Sequence, residues 1–251
     1  MLSQNKVSRI SKFDRPKLDT PITVRVVFSK TGNLQYFSHL DLQRTWQRVL
    51  VRASIPMWYT QGFNPHSKIV FGVPLPVGSE GMEEMVDLRI DREITPAEIK
   101  AQLNAELTSE MQVSEVYIPK TSFSDIAWGV YQMTVKIPGD PIDHAAAINK
   151  IFAPDAEPII MTKRSKSGDK EVNILPMIHS VKAVAADGLI KLRATLRAGN
   201  VENLNPEYLI KAMRDKLGIL PEDGVAGDVW YRILRIGFHD QSGVEVGKWF
   251  R

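Results

Sequence analysis

Two stretches decide the fold class: Ile22-Thr-Val-Arg-Val-Val-Phe28 and, after a short turn, Ser38-His-Leu-Asp-Leu-Gln-Arg-Thr-Trp-Gln-Arg-Val-Leu-Val-Arg-Ala53. In the first, Ile22, Val24, Val26 and Phe28 alternate as a half-buried strand does. In the second, Leu42, Trp46, Val49, Leu50 and Ala53 recur at helical spacing and make one continuous apolar face. Ser38 and Asp41 stand at the two positions of a capping box, and an acid in the first turn is favoured by the helix dipole. Thr31-Gly-Asn33 supplies the turn between strand and helix.

Working outward, Pro56 ends the helix and a turn-rich connection leads to the strand Lys68-Ile-Val-Phe-Gly-Val73. Pro74, Pro76 and Gly78 interrupt before the pattern resumes at Met85-Val-Asp-Leu-Arg-Ile90, which predicts a wide hairpin. Thr95-Pro96 opens a helix that carries Ile99, Leu103 and Leu107 inward, and Gln112 to Ile118 is a last strand. The order is β-α-β-β-α-β, the ferredoxin-like signature. The second half repeats it: strands at Val130 to Ile137, Ile159 to Arg164, Leu189 to Arg197 and Val229 to Gly237, with helices at Ile142 to Phe152 and Pro206 to Leu217, the latter capped by Asn205. Its hairpin carries an insertion from Ser165 to Asp187. The expected organisation is therefore α+β: a flexible basic arm over 1–20, a first ferredoxin-like domain over 21–120, and a second over 128–251 bearing an inserted basic hairpin.

Composition limits the chemistry. The 251 residues contain no cysteine, which excludes disulfides, thiolate metal sites, iron–sulfur ligation and cysteine nucleophiles in this chain. Any radical or redox step would belong to a partner. No run approaches the roughly 18 to 20 apolar residues of a membrane span, and Met1 to Asp19 lacks the apolar stretch of a secretory signal, so the expected location is the cytoplasm without membrane contact. Net charge is only +3, but Lys6, Arg9, Lys12, Arg15, Lys17, Arg25 and Lys30 gather at the start, and Lys163, Arg164, Lys166 and Lys170 form a second cluster. Such clusters suit a polyanion, although taken alone they are better explained as a solvated arm and a solvated hairpin tip.

The residues between Lys30 and Leu75 are the candidate site. Arg44, Arg48 and Arg52 lie one helical turn apart, about 6 Å per step, a spacing close to that of phosphates along a single strand. No acid falls between Leu42 and Ser54 to neutralise them. Tyr36 and His39 sit at the strand-to-helix junction, where His39 could donate to a phosphate or exchange a proton near neutral pH. Asp41 is assigned to capping. Gly62-Phe-Asn-Pro-His-Ser-Lys68 combines types that stack on a base, bond its edge and pair a phosphate: Phe63, Asn64, His66 and Lys68. A stiff turn cornered at Asn64-Pro65 explains part of that segment but not His66 and Lys68. A metal held by His39 and His66 would need further ligands, with only Asp41 and Asp87 at hand, so no metal site is expected.

The run Lys30-Thr-Gly-Asn-Leu-Gln-Tyr-Phe-Ser-His-Leu-Asp-Leu-Gln-Arg44, with Thr60-Gln-Gly-Phe-Asn-Pro-His-Ser-Lys68, Phe71-Gly72 and Leu75-Pro-Val-Gly78, resembles the bacterial radical SAM-linked proteins, a family defined as a domain of unknown function. The resemblance continues less sharply through Lys163-Arg-Ser-Lys-Ser-Gly168. Where that family carries Asp-Ile-Arg-Pro, this chain reads Asn173-Ile-Leu-Pro176 and lacks both charged members. The resemblance implies a radical SAM partner that carries the iron–sulfur cluster, S-adenosylmethionine and cobalamin, with RNA- or ribosome-linked work; it supplies no reaction. The element order also resembles the RAMP superfamily of CRISPR repeat-processing endoribonucleases, an analogy of fold alone. The expected function is an accessory RNA-binding protein, with no DNA partner and no cofactor of its own. The alternatives are a metal-independent RNA-processing or RNA-modifying enzyme using His39 and His66, or a protein-only adaptor for the radical SAM partner.

Overall fold

The computed structural model describes residues 14–165, 168–199, 202–220 and 228–246, with the side chains of 163–165 excepted. The chain forms two compact units, Met1–Val77 with Glu83–Lys120, and Gly78–Met82 with Thr121–Phe250. Both are mixed α+β with mostly antiparallel pairing, and among the described residues no helix is long and apolar enough to cross a membrane.

In the first unit the order is β1 (Lys17–Lys30), α1 (His39–Arg52), β2 (Ile69–Phe71), β3 (Ser79–Arg92, whose first residues count with the second unit), α2 (Pro96–Asn104) and β4 (Val113–Tyr117). The strands lie in the sequence β4-β1-β3, with β2 on β3. The alternating residues Val24, Val26 and Phe28 of β1 and Val86, Leu88 and Ile90 of β3 meet the apolar stripe of α1 and Ile99 and Leu103 of α2 in one core. Trp46 is its largest side chain, wholly buried, with its ring edge-on to Phe28 at 4.9 Å. Both helices begin at complete capping boxes, Ser38 with Asp41 and Thr95 with Glu98, which satisfies amide groups that the helix itself leaves open. On the opposite face, Arg25 is buried and paired to Asp87 through two hydrogen bonds of 2.7 and 2.8 Å. The arm expected over 1–20 is corrected at its end. Residues 1–13 lie outside the described residues, but Arg15 is buried, donating to the Glu93 carbonyl at 3.0 Å and to Glu98 at 2.8 Å, and β1 starts at Lys17. Tertiary partners supplied by α2 override the polar local sequence.

The second unit contains β5 (Trp128–Lys136), α3 (Pro141–Ile151), β6 (Ile160–Ser165), β7 (Gly168–Asn173), β8 (Ile178–Ala186), β9 (Leu189–Arg197), α4 (Glu207–Leu217), β10 (Trp230–His239) and β11 (Glu245–Val246). Its sheet runs β10-β5-β9-β8, with the start of β3 parallel to β10. Tyr131, Met133, Ile190, Leu192, Leu196 and Ile233 face Ile148, Leu209, Ile210 and Met213 of α3 and α4 in a second core. One expected pairing is corrected. The partner of Leu189–Arg197 is β8, not Ile159 to Arg164; β6 pairs instead with β7 in a separate two-stranded hairpin. Strand β8 turns into β9 through Asp187-Gly188, with φ of 57° and 71°, the backbone of a tight primed turn. The Asn149 amide of α3 donates to the Ala183 carbonyl at 2.9 Å and accepts from the Ala183 N–H at 2.8 Å.

Candidate nucleic-acid interface

The surface is assembled from the end of β1, the first turns of α1, and the loop that precedes β2. The Thr31 and Asn33 N–H groups donate to the Glu110 carbonyl and carboxylate, both at 2.9 Å, which pins a 3-10 turn over Gly32–Tyr36. Gly32 takes φ 59° there, and a side chain on it would run into the Glu110 carboxylate. Buried Lys30 reaches the Phe37 carbonyl at 3.5 Å from below. Tyr36, the last residue of that turn, is 67% exposed. His39, the first residue of α1, is exposed and rests its ring edge-on against Phe71 of β2 at 5.2 Å. Asp41 is committed to its capping box: bonds from the Ser38 hydroxyl and N–H, with Arg44 nearby, hold its carboxyl below the usual carboxylate range.

The loop over 60–66 is closed by His66. Its backbone carbonyl accepts from Thr60 N–H at 3.0 Å and its own N–H donates to the Thr60 hydroxyl at 3.1 Å. Nδ1 lies 3.1 Å from the Thr60 hydroxyl and 3.3 Å from the Asn64 carbonyl, so the imidazole is held within its own loop. Phe63 stands at the tip, wholly exposed, next to Gly62 at φ 142°. Asn64 and Lys68 are exposed as well. His66 thus has a structural task that its sequence position did not reveal. No hydrogen bond or ring contact joins it to His39, and among the described residues no three His, Asp or Glu side chains form a metal-binding group.

The arginine row divides. Arg44, Arg48 and Arg52 are all exposed, but Arg52 Nε pairs with Glu106 at 3.1 Å, so the acid missing from the helix arrives from the segment after α2. The structure also adds Leu40, 60% exposed, and Val51, 62% exposed. At helical spacing both fall on the face of Arg44, opposite Leu42 and Val49. Their spacing from Arg44 is the signal that would have found them; Phe71 shows its role only through the tertiary contact with His39. Of the second basic cluster, Lys163 and Arg164 lie in β6, in register with Lys170 and Asp169, while Lys166 lies outside the described residues. That hairpin belongs to the second unit.

A family profile described as "uncharacterized protein conserved in bacteria (DUF2344)" matches residues 23–206. No curated protein matches this chain. Among solved structures, one similar chain comes from a Cbf5-Nop10-Gar1 complex, at 13% identity and a TM-score of 0.44, over 94% of this chain and 55% of that one. A second is an unknown protein from Galdieria sulphuraria, at 11% identity and a TM-score of 0.25, over 86% of this chain and 98% of that one. This chain thus spans about half the length of the first, and neither likeness reaches a level that carries functional weight.

Proposed function

From the premise that the chain belongs to this bacterially conserved DUF2344 family, we propose that it is an accessory RNA-binding protein whose first unit holds a single strand between Tyr36 and Lys68. The observation that carries the reading is Phe63. A phenylalanine kept wholly in water forgoes roughly 1.5 to 3 kcal/mol of burial, and nothing in its loop needs it for packing. Together with exposed Tyr36, Arg44, Arg48 and Lys68 of the same unit, it offers aromatic rings and cations that fit single-stranded RNA, whose bases stack on aromatic rings while cations follow the backbone. The β-α-β-β-α-β order of the first unit, and the same order around the β6–β7 insertion in the second, support a tandem ferredoxin-like architecture of the RAMP-like kind. The radical SAM partner rests on the resemblance of the Lys30–Gly78 motif, and the cluster and cobalamin would reside there, since this chain has no cysteine to bind a cluster. The test is fluorescence anisotropy of a labelled 20-nucleotide single-stranded RNA with wild type and the double variant Tyr36→Ala/Phe63→Ala. Both side chains are exposed, so the variant should fold, and its Kd should rise at least tenfold. Equal affinities for the two folded proteins would discard the reading.

A second reading is favoured by one observation. Leu40 and Val51 flank Arg44 on the outer face of α1, and exposed apolar side chains around an arginine suit a protein partner. Leu40→Ser/Val51→Ser would then abolish nuclease-resistant co-purification with the radical SAM partner and leave RNA affinity unchanged. If the substitutions weaken RNA binding instead, this face serves the RNA and not a protein.

A further inference from the structure

The face of the second unit's sheet turned away from α3 and α4 gathers residues from β5, β8, β9 and β10. Trp128 of β5 stands opposite Arg197 of β9 and opposite His239 of β10. The Arg197 guanidinium carbon lies 3.9 Å from the centre of the Trp128 ring, held by Gln241 at 3.1 Å and by Glu202 at 3.5 Å. His179 of β8 occupies an irregularity in the ladder between Ile178 and Ser180, and its exposed ring meets Trp128 at 5.2 Å, tilted by 49°. Such irregularities re-aim a side chain, and here the aim is onto the tryptophan. Two steps along the same face, past Thr195 and Val130, Lys182 of β8 stands directly opposite Arg193 of β9, both exposed, and among the described residues neither forms a hydrogen bond or an ion pair. Arg193 and His179 both face His239 and help, after burial, to hold its imidazole below its ordinary value, against the opposing pull of Glu245 and Asp240.

Like charges directly opposite on paired strands are destabilising, so a bound anion would relieve the repulsion between Lys182 and Arg193. The planar groups on the same face narrow the anion. An indole, a guanidinium stacked on it, and two imidazoles all present flat faces or ring nitrogens suited to nucleobases. Adjacent strands lie about 4.8 Å apart, so the row from β10 to β8 spans roughly 14 Å, the length of two or three extended nucleotides. We propose that this face is a second single-stranded RNA site, in which Trp128, Arg197 and His179 form the stacking platform and Lys182 and Arg193 hold the phosphates. It shares with the first unit's site only the class of ligand.

The experiment uses the full chain, a fluorescein-labelled oligouridine of 12 nucleotides and its 4-thiouridine counterpart for crosslinking. Lys182→Ala/His179→Ala/Arg193→Ala alters only exposed side chains and should raise Kd about tenfold or more. The crosslinked peptides should contain Trp128, His179 or Arg197. A Trp128→Phe variant keeps an aromatic plane and should retain most of the affinity, whereas Trp128→Ala loses it. Should the triple variant bind as wild type does while Arg44→Ala/Arg48→Ala loses affinity, with crosslinks confined to residues 36–68, the second site is overturned and the first stands. The reverse pattern overturns the first and keeps the second. Failure of the wild-type chain to bind the oligomer overturns both.

Discussion

Replacing Arg44 and Arg48 together by alanine should flatten the salt dependence of RNA binding, whereas replacing Arg52 should leave it nearly as it was. The difference follows from Glu106, whose carboxylate lies 3.1 Å from Arg52 and already neutralises it, while the other two guanidinium groups stand exposed. For single strands, each phosphate neutralised adds about −0.7 to the slope of log affinity against log salt. Losing two cations should therefore shift the slope by about 1.4, and between 50 and 200 mM salt this amounts to roughly a sevenfold loss of salt sensitivity. Arg52→Ala should shift it by a few tenths at most. Glu106→Gln, which removes the competing carboxylate, should steepen the slope by up to about 0.7. Anisotropy titrations at four or five salt concentrations, with circular dichroism to confirm folding, measure all three. An unchanged slope for folded Arg44→Ala/Arg48→Ala, or an equal shift for Arg52→Ala, would refute the two-plus-one division of the row.

Three further outcomes concern stability. The hydrogen bond from Arg15, reinforced by the Thr95 backbone and hydroxyl, pulls the Glu98 carboxyl down to about 2. A depressed folded value stabilises above the unfolded value of about 4.3 and is lost as pH falls toward 2, so Glu98→Gln should cost about 1 kcal/mol at pH 7, discounted because the carboxylate is 39% exposed. Urea unfolding should show that gap closing between about pH 4.5 and 2, and a gap constant with pH would sink the idea. Asp87→Ala should cost about 3 kcal/mol by taking the carboxylate from buried Arg25 and leaving it the Tyr117 hydroxyl, whereas Arg25→Met/Asp87→Leu should return to within about 1 kcal/mol of wild type; equal costs for single and double variants would argue against a desolvation origin. Gly188→Ala meets no neighbour but forces a side chain into φ 71°, and should cost about 1 to 2 kcal/mol, read as faster amide exchange in β8.

Elements whose stability is written locally were legible in the sequence. The apolar stripe of α1 and both capping boxes are spelled out within one or two helical turns, and Leu42, Trp46, Val49, Leu50 and Ala53 are all buried. Strand β8 was not, because it lies at the end of its sheet and buries only Ala183, so no alternation marks it. Its signal was the turn: Asp187-Gly188 is among the strongest short hairpin sequences, and it names Ala186 and Leu189 as partners. The Thr60 and Asn64 contacts of His66 and the Glu106 contact of Arg52 are likewise hidden, since each depends on where the backbone returns after a turn or a second helix. The same holds for His179, which lies 51 residues from Trp128 in the chain and meets it only across the sheet.

The two hydrogen bonds from Asn149 to Ala183 have a consequence for how this protein keeps to itself. Strand β8 ends the sheet of the second unit, and an end strand offers outward N–H and C=O groups to any passing extended chain. The Asn149 amide copies a peptide unit, donating and accepting at the same residue, and so fills the middle of that edge as a one-residue strand would. An incoming segment must displace it before pairing, and meets exposed Lys182 beside it. With leucine at position 149 the helix would keep its length while the edge opened, and the expected result is association into larger species rather than a lower melting point alone.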